Sequence, residues 1–306
     1  MTDKEINDLV ENIRGRIAEA NRELIFDPEP HSYHFRGNAL KSVSEVCEQF
    51  AQAFDARGNA ERVAQKTGKS VDEILAQWRA NADRACAAGT RTHAYAEWKF
   101  YTETQRDVPA DLEFFESKKT VPNKAAVDAV WNFLKNDFSA AKYVPVAAEN
   151  RVMNLPLGYA GTFDLLALEI LKNGEIGLVI FDYKTNENLF DIFRDNTMLT
   201  PIEDFHACCA AHYTCQLALY QLALEKIVPE IPISRRVLFW LDTQGVNLIE
   251  ENSRERFENA GKKWKFLPTE TIDALKKNYR FRSREHFGTL ALPDISQKLH
   301  QFLSEQ

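Results

Sequence analysis

The pattern of hydrophobic and polar positions divides the chain into a helical first part, a strand-rich middle, one long helix and a basic end. Predicted helices cover residues 1–28, a stretch ending at Gly68, a stretch from Ser70 to about Phe100, residues 123–139 and residues 206–227. Predicted strands cover residues 31–35, 40–46, 143–152, 159–168, 176–183, 237–241 and 246–249. Residues 186–205 lack a clear period and are predicted to form a long loop.

Local signals define several helix boundaries. Gly68 ends one helix, and Ser70 with Glu73 forms a capping box that begins the next. The dipeptide 89–90 (GT) marks a break, so this stretch is predicted to be one helix or a pair of helices. Pro229 ends the helix that runs to about residue 227, because proline cannot continue a helical hydrogen-bond ladder.

The strand-rich middle has polar residues where structure alone does not call for them. Short turns separate the strands 143–152, 159–168 and 176–183, which predicts an antiparallel meander. The last two strands are apolar on both faces apart from Asp164 and Asp182, and such strands belong in the middle of a layered structure. A carboxylate there is costly unless it is paired or bound to a cation.

The register of the meander is predicted to gather these polar residues. A turn centred on Asn173 places Asp164 opposite Asp182, with their Cβ atoms about 4.5–5.5 Å apart. Lys184 follows two residues later and projects from the same face as Asp182, and the preceding hairpin brings Glu149 almost opposite Asp164. Oxygen ligands of this kind favour Mg²⁺ or Mn²⁺ over zinc.

The same residues also have an ordinary structural interpretation. In that alternative Asp182 and Lys184 form a surface ion pair at a strand end, Asp164 caps a turn, and Glu149 is a surface residue. Strands in the middle with helices on either side predict an α/β fold, a central mixed sheet with an antiparallel meander flanked by helices. We expect an N-terminal accessory segment at 1–85, a core at 86–250 and a basic C-terminal appendage at 251–306.

Charge and composition restrict the function. The net charge is −7, which excludes a basic protein that coats nucleic acid nonspecifically. The last 56 residues nevertheless carry +3, against −10 for the first 250. The expected nucleic-acid contacts in this part are Lys262, Lys263, Lys265, Arg280 and Arg282, although an amphipathic solvated helix explains the same segment equally well. A polar N-terminus and the lack of an 18-residue apolar run predict a cytoplasmic protein without a membrane segment.

Five cysteines occur without a CxxC pair, and a disulfide framework does not fit this length and composition. A zinc or iron–sulfur site at Cys208, Cys209 and Cys215 is a weaker interpretation than three small buried residues on a helix.

Four short motifs, in order along the chain, carry a family resemblance. They are residues 89–93 (GTRTH) with Glu97 one turn later, residues 161–164 (GTFD), residues 182–185 (DYKT) and residues 216–220 (QLALY). Together they resemble the PD-(D/E)XK nuclease superfamily, and most closely its RecB-like exonuclease branch, over residues 86–225. The resemblance implies a restriction-endonuclease-like core.

The resemblance also implies roles for single residues. Asp164 and Asp182 would bind metal, the carbonyl of Tyr183 would be a further ligand, and His93 would be the additional ligand typical of the branch. Lys184 would orient or activate the attacking water.

Further expectations follow from the resemblance and from what the sequence lacks. Gln216 and Tyr220 would flank the site, or as plain sequence form a core-facing stripe. No cysteine follows Cys215, so the iron–sulfur cluster of some relatives is not expected. No phosphate-binding GxxxxGK[ST] motif occurs, which leaves a helicase or recombination protein as a candidate partner rather than a motor within the chain.

The predicted function is hydrolysis of DNA phosphodiester bonds with one or two Mg²⁺ or Mn²⁺ ions, by an exonuclease acting on DNA ends or single strands. A structure-selective or flap endonuclease is the alternative within the same class. A nuclease-like DNA-binding or regulatory protein that does not cut is the alternative outside it, and a sugar- or nucleotide-binding α/β enzyme has little support without a glycine-rich phosphate loop. The motifs are compatible with either polarity of cleavage and with DNA or RNA.

Overall fold

A single mixed β-sheet forms the middle layer of the protein, with helices packed on both faces. The computed structural model describes residues 1–29, 31–116, 121–137, 141–186, 189–190, 196–241, 279–284 and 286–306. This α/β architecture, with its antiparallel meander, is the predicted fold class.

The sheet contains nine strands among the described residues. They are β1 (Leu24–Asp27), β2 (Ser32–Phe35), β3 (Asn38–Ser42), β4 (Ala141–Asn154), β5 (Tyr159–Leu171), β6 (Ile176–Lys184), β7 (Ile233–Trp240), β8 (Arg280–Ser283) and β9 (Gly288–Ala291). The helices are α1 (Asp3–Ala20), α2 (Val43–Glu48), α3 (Ala56–Thr67), α4 (Val71–Glu103), α5 (Lys124–Asn136), α6 (Cys209–Ile227) and α7 (Ser296–Ser304). The order across the sheet is β1-β2-β3-β5-β6-β7-β9-β8, with β4 paired to β5.

Strand β5 is the centre of the sheet because it has three partners. Strand β4 pairs with one edge of β5 along its whole length, from Tyr159 to Leu171. The other edge is divided between the start of β5, where Tyr159 and Ala160 pair with β3, and residues 165–170, which pair with β6. Residues 161–164 therefore lie between two diverging partners, and Asp164 is the last of them.

The predicted registers of both hairpins are confirmed. Leu165 pairs with Phe181. The same antiparallel register, continued by one residue on each strand, places Asp164 opposite Asp182. In the preceding hairpin Ala148 pairs with Leu165 and Asn150 with Phe163, so Glu149 lies opposite Asp164.

The two faces of the sheet carry different helices. Helices α1, α2, α6 and α7 pack on one face. Helix α6 is buried around most of its circumference, and Cys215 within it and Cys208 at its N-cap are both buried. Helices α4 and α5 pack on the other, with Trp131 and Phe181 among the fully buried rings. Because both faces are covered, β5 and β6 are apolar on both sides, as their sequences indicated.

Two predicted element boundaries are wrong in detail. Residues 24–27 form strand β1 rather than the end of the first helix, which stops at Ala20. The strand predicted over 40–46 ends at Ser42, because the Ser42 side chain caps helix α2 and Glu45 returns a bond to the Ser42 backbone.

Helix α4 is one continuous helix without the break considered at Gly89. Its first turn has the predicted capping box of Ser70 and Glu73. Thr90 donates its hydroxyl to the Cys86 carbonyl at 3.0 Å, so the hydroxyl is satisfied within the helix. An interior glycine costs a helix only about 1 kcal/mol, which the packing of the second half of α4 outweighs.

The C-terminal part is anchored on helix α6. Buried Gln221 of α6 bonds Ser296 at 3.1 Å, and Arg236 of β7 pairs with Asp294 at 3.2 Å. The strand predicted at 246–249 and the residues Lys262, Lys263 and Lys265 lie outside the described residues. No helix in the described part of the chain is long and apolar enough to cross a membrane.

We predict that Gly161→Ala destabilises the protein, because a Cβ there would lie 2.7 Å from Tyr220 Cε1 and 2.9 Å from Val43 Cγ2. The expected loss in free energy of unfolding is about 1–3 kcal/mol, measured by denaturant titration. Gly15→Ala is the matched control, since nothing lies within 4 Å of its Cβ position in helix α1. The control is expected to gain up to about 1 kcal/mol. Unchanged stability of Gly161→Ala would contradict the close approach of α6 to β5.

Candidate metal centre

Asp164 lies where strands β5 and β6 separate, and its carboxylate joins the two strands. It is 8% exposed. Its Oδ2 accepts a 2.7 Å hydrogen bond from the backbone amide of Tyr183. A side-chain bond therefore replaces the main-chain bonds between β5 and β6 at this point. Burial alone would raise the pKa of Asp164, but the charge of His93 and the bond from Tyr183 hold it below its usual value.

His93 projects from the second half of helix α4 onto Asp164 of β5 and the end of β6. Its Nδ1 lies 3.4 Å from Asp164 Oδ1 and 3.5 Å from Glu149 Oε1. Its Nε2 is 3.1 Å from the carbonyl oxygen of Tyr183. Burial lowers the pKa of His93, but the two carboxylates outweigh burial and raise it well above its usual value. Both ring nitrogens thus face acceptors, and a protonated His93 supplies positive charge between the carboxylates. A cation bound by His93 would displace a ring proton, because only the neutral imidazole can be a ligand.

Glu149 reaches this cluster through an unusual backbone conformation. Its φ is +47°, in the left-handed region that a residue with a large side chain rarely adopts. The residue is omitted from the β4–β5 ladder, whose pairs continue on either side of it. Burial and the charge of Asp164 raise the pKa of Glu149, although His93 opposes them. A strained backbone that directs a carboxylate at a charged cluster is typical of a functional site.

Asp182 and Lys184 form a buried ion pair on β6. The distance from Lys184 Nζ to Asp182 Oδ2 is 2.5 Å, and Asp182 is 1% exposed. Burial and the nearby charge of Asp164 raise the pKa of Asp182 to about 7. Although burial opposes it, Asp182 and Asp164 raise the pKa of Lys184 above its usual value. The Lys184 ammonium also lies 4.3 Å from the centroid of the Tyr213 ring on α6.

The donor set fits a divalent cation. One potential ligand atom from each of His93, Glu149 and Asp164 lies within 4.8 Å of the others. Asp182 Oδ1 is buried and has no hydrogen-bond partner among the described residues, which is costly for a carboxylate oxygen. Carboxylates with one imidazole are ligands suited to Mg²⁺ or Mn²⁺, and a divalent charge would offset the repulsion that raises the pKa of Asp182.

A cleft of about 780 Å³ opens over the cluster. His93 and Glu149 line it, together with Gln216 and Tyr220 of helix α6. Gln216 donates its Nε2 hydrogen to the Tyr220 hydroxyl at 3.1 Å, so the two α6 residues act as one unit beside the site. The cleft thus lies between α4 on one side and α6 on the other.

This arrangement agrees with the result of sequence comparison. The family model of the PD-(D/E)XK nuclease superfamily matches residues 42–290. The chain belongs to the PD-(D/E)XK nuclease superfamily. No curated protein sequence matches it significantly.

Arg282, one of the basic residues predicted to contact nucleic acid, does not line this cleft. Arg282 of β8 is exposed and lines a separate cavity with Arg235 and Arg284. Arg284 is held there by Asp137 at 2.9 Å. Arg280 belongs to the same strand, β8. A contact of this segment with nucleic acid therefore stays a prediction.

One wall of the cleft was not predicted from the sequence. This wall contains Phe26 of β1, His31 just before β2, Tyr33 of β2 and Arg151 of β4. The Tyr33 hydroxyl is 3.0 Å from the Thr162 hydroxyl, which joins the N-terminal strands to β5 near the metal centre. Contacts between residues so distant in sequence leave no periodic signal.

We predict that the stability of the metal-free nuclease depends on pH through the carboxyl group of Glu97. Burial, with the charges of Glu149 and Asp111, raises its pKa from 4.5 to about 7. Because the fold favours the protonated form, the wild type loses stability as pH rises between these two values. Glu97→Gln cannot lose this proton. The difference in free energy of unfolding between the variant and the wild type should therefore grow in favour of the variant over this pH range and stay constant above it. Urea unfolding in EDTA at several pH values measures it, and parallel curves for the two proteins would contradict the shifted pKa.

Proposed function

We propose that this nuclease hydrolyses DNA phosphodiester bonds as a metal-dependent exonuclease acting on DNA ends or single strands. The observation that carries the proposal is the cluster of His93, Glu149 and Asp164 beside the buried Asp182–Lys184 pair. His93 and Glu149 of this cluster line an open cleft. Charged groups concentrated in this way are characteristic of catalytic sites, because burial and like charges tune their pKa values. The matched family supports a nuclease.

The residues that would hold Mg²⁺ or Mn²⁺ are Asp164, Asp182, His93 and the carbonyl of Tyr183, with Glu149 as a further carboxylate. A bound divalent ion would polarise the scissile phosphate and lower the pKa of a coordinated water. Contacts within the chain hold two of these groups in position: the Tyr183 amide fixes Asp164, and helix α4 holds His93 against β6.

Lys184 would act as a fixed cation rather than as a base. Asp182 and Asp164 raise its pKa, so the ammonium keeps its proton at neutral pH. A protonated Nζ beside the reacting phosphate can orient the attacking water and stabilise the negative charge that develops. The packing of Nζ over the Tyr213 ring and its ion pair restrict its position, which lowers the cost of orienting it during the reaction.

Gln216 would contact the substrate, and Tyr220 would hold strand β5 in position beneath it. Tyr220 is 4% exposed, and its ring contacts the surface of β5 at Gly161. Gln216 is more accessible and lines the cleft, where its amide can bond a phosphate or a sugar. We therefore assign Tyr220 to positioning and Gln216 to substrate contact.

A nuclease-like protein that binds without cutting is less consistent with the site. Such a protein needs no buried lysine beside a carboxylate that could bind metal. This chain nevertheless has two buried aspartates and the lysine of the family motif, which are Asp164, Asp182 and Lys184. A structure-selective endonuclease uses the same centre, and the two activities differ in whether a free end is required.

Digestion of matched linear and circular DNA tests the proposal. Linear single strands labelled at the 5′ or the 3′ end, linear duplexes and a closed circular single strand are incubated with Mg²⁺ or Mn²⁺. We expect shortening of the linear strands and survival of the circle. Cleavage of the circle would replace the exonuclease with the endonuclease alternative, and intact DNA in every reaction would contradict both.

We predict that Lys184→Met lowers the rate of DNA cleavage by about 100- to 1,000-fold, because it removes the fixed cation. Lys142→Met is the control, since Lys142 is half exposed and pairs with Asp3 on the surface. Single-turnover cleavage of an end-labelled single strand measures the rate, and circular dichroism establishes that both variants are folded. A folded Lys184→Met protein with the wild-type rate would contradict the role of Lys184.

A further inference from the structure

Three side chains form a wall of the cleft that the catalytic group does not use. Phe26 of β1 is half-buried, whereas His31 and Arg151 are exposed, and all three line the cleft. The Phe26 and His31 rings meet edge to face with centroids 4.8 Å apart. The Arg151 guanidinium carbon lies 5.4 Å from the centroid of the Phe26 ring. We call these three residues the aromatic wall.

The aromatic wall is attached firmly to the strands that carry the metal centre. Phe26 also packs on Tyr33 with centroids 4.8 Å apart, and the Tyr33 hydroxyl contacts Thr162 of β5. Arg151 belongs to β4, two residues after Glu149. A substrate whose phosphate lies at His93 and Glu149 therefore has this wall within the same cleft.

The backbone of the aromatic wall is itself unusual. His31 has φ +65°, in the left-handed region, immediately before strand β2. This conformation is costly for most residues and holds the imidazole on the cleft side of the strand pair, against Phe26. Aromatic rings and guanidinium groups are the groups on which nucleobases stack, and His31 and Arg151 are exposed in the cleft. The arginine adds a charge that attracts the backbone.

We propose that the aromatic wall binds an unpaired nucleobase next to the phosphate at the metal centre, which makes single-stranded DNA the preferred substrate. This inference rests on the proposed function for the position of the phosphate. In a duplex each base is already stacked on its neighbours and paired, so its faces are not available to Phe26, His31 or Arg151. Duplex DNA would have to fray before it could occupy the same wall.

The test separates binding of bases from binding of phosphates. Fluorescence anisotropy in EDTA, where no cleavage occurs, measures the affinity for a thymidine oligonucleotide of about 12 nucleotides, a length within the range of single-strand sites. A second oligonucleotide of equal length has the same phosphates but abasic sugars. We expect Phe26→Ala and His31→Asn each to weaken binding of the thymidine strand by about 5-fold or more and to leave binding of the abasic strand unchanged.

The chain offers a matched control in the same strand pair. Phe35 of β2 has the Arg36 guanidinium carbon 5.0 Å from its ring centroid but does not line the cleft. Phe35→Ala should bind both oligonucleotides like the wild type. His31→Asn keeps the proposal testable if Phe26→Ala does not fold, because His31 is exposed and asparagine accepts the left-handed conformation.

Two results would overturn the aromatic wall as a base-binding site. One is equal weakening of both oligonucleotides, and the other is wild-type affinity of folded His31→Asn and Arg151→Gln for the thymidine strand. Cleavage by the wild type in Mn²⁺ is measured separately. Base-dependent binding without any cleavage would support the aromatic wall and contradict the proposed function, whereas cleavage without base dependence would do the reverse.

Discussion

Buried carboxylates in an apolar sheet need positive charge beside them, and the architecture around β5 is arranged to supply it. Strands β3 and β6 share one edge of β5 and leave a gap at residues 161–164. Asp164 lies in that gap with the Tyr183 amide, the His93 imidazolium and the Lys184 ammonium close enough to influence its pKa. The cleft, the ion pair on β6 and the approach of α6 all follow from this separation of strands.

Conformational strain and long-range packing hold the same group together. Glu149 adopts a left-handed backbone conformation. Helix α4 is continuous through Gly89, and this fixes the position of His93 over the sheet. Such features cost stability, and they persist because the surrounding strands and helices determine them. The surrounding strands and helices therefore fix the positions of the charged side chains, which reduces the reorganisation that catalysis requires.

The meander was predictable from the sequence because its turns and two-faced apolar strands determine its register. Those registers bring Glu149, Asp164 and Asp182 to one place without further information. The capping box at Ser42 was overlooked because residues 40–46 also fit a strand, and the tertiary contact of Val43 with Gly161 favours the helix. The aromatic wall depends on pairing of β3 with β5, far apart along the chain, which no local pattern reveals.

Calorimetric titration of the metal-free protein with Mn²⁺ tests the central claim, that this group of carboxylates is a divalent cation site. We predict binding by the wild type and by Asp128→Asn, whose carboxylate contacts Lys124 and Tyr95 away from the cleft. Folded Asp164→Asn should lose at least about 10-fold in affinity or bind no Mn²⁺, because losing a ligand costs no less than losing a residue that only orients one. Equal affinity of Asp164→Asn and the wild type would contradict the account.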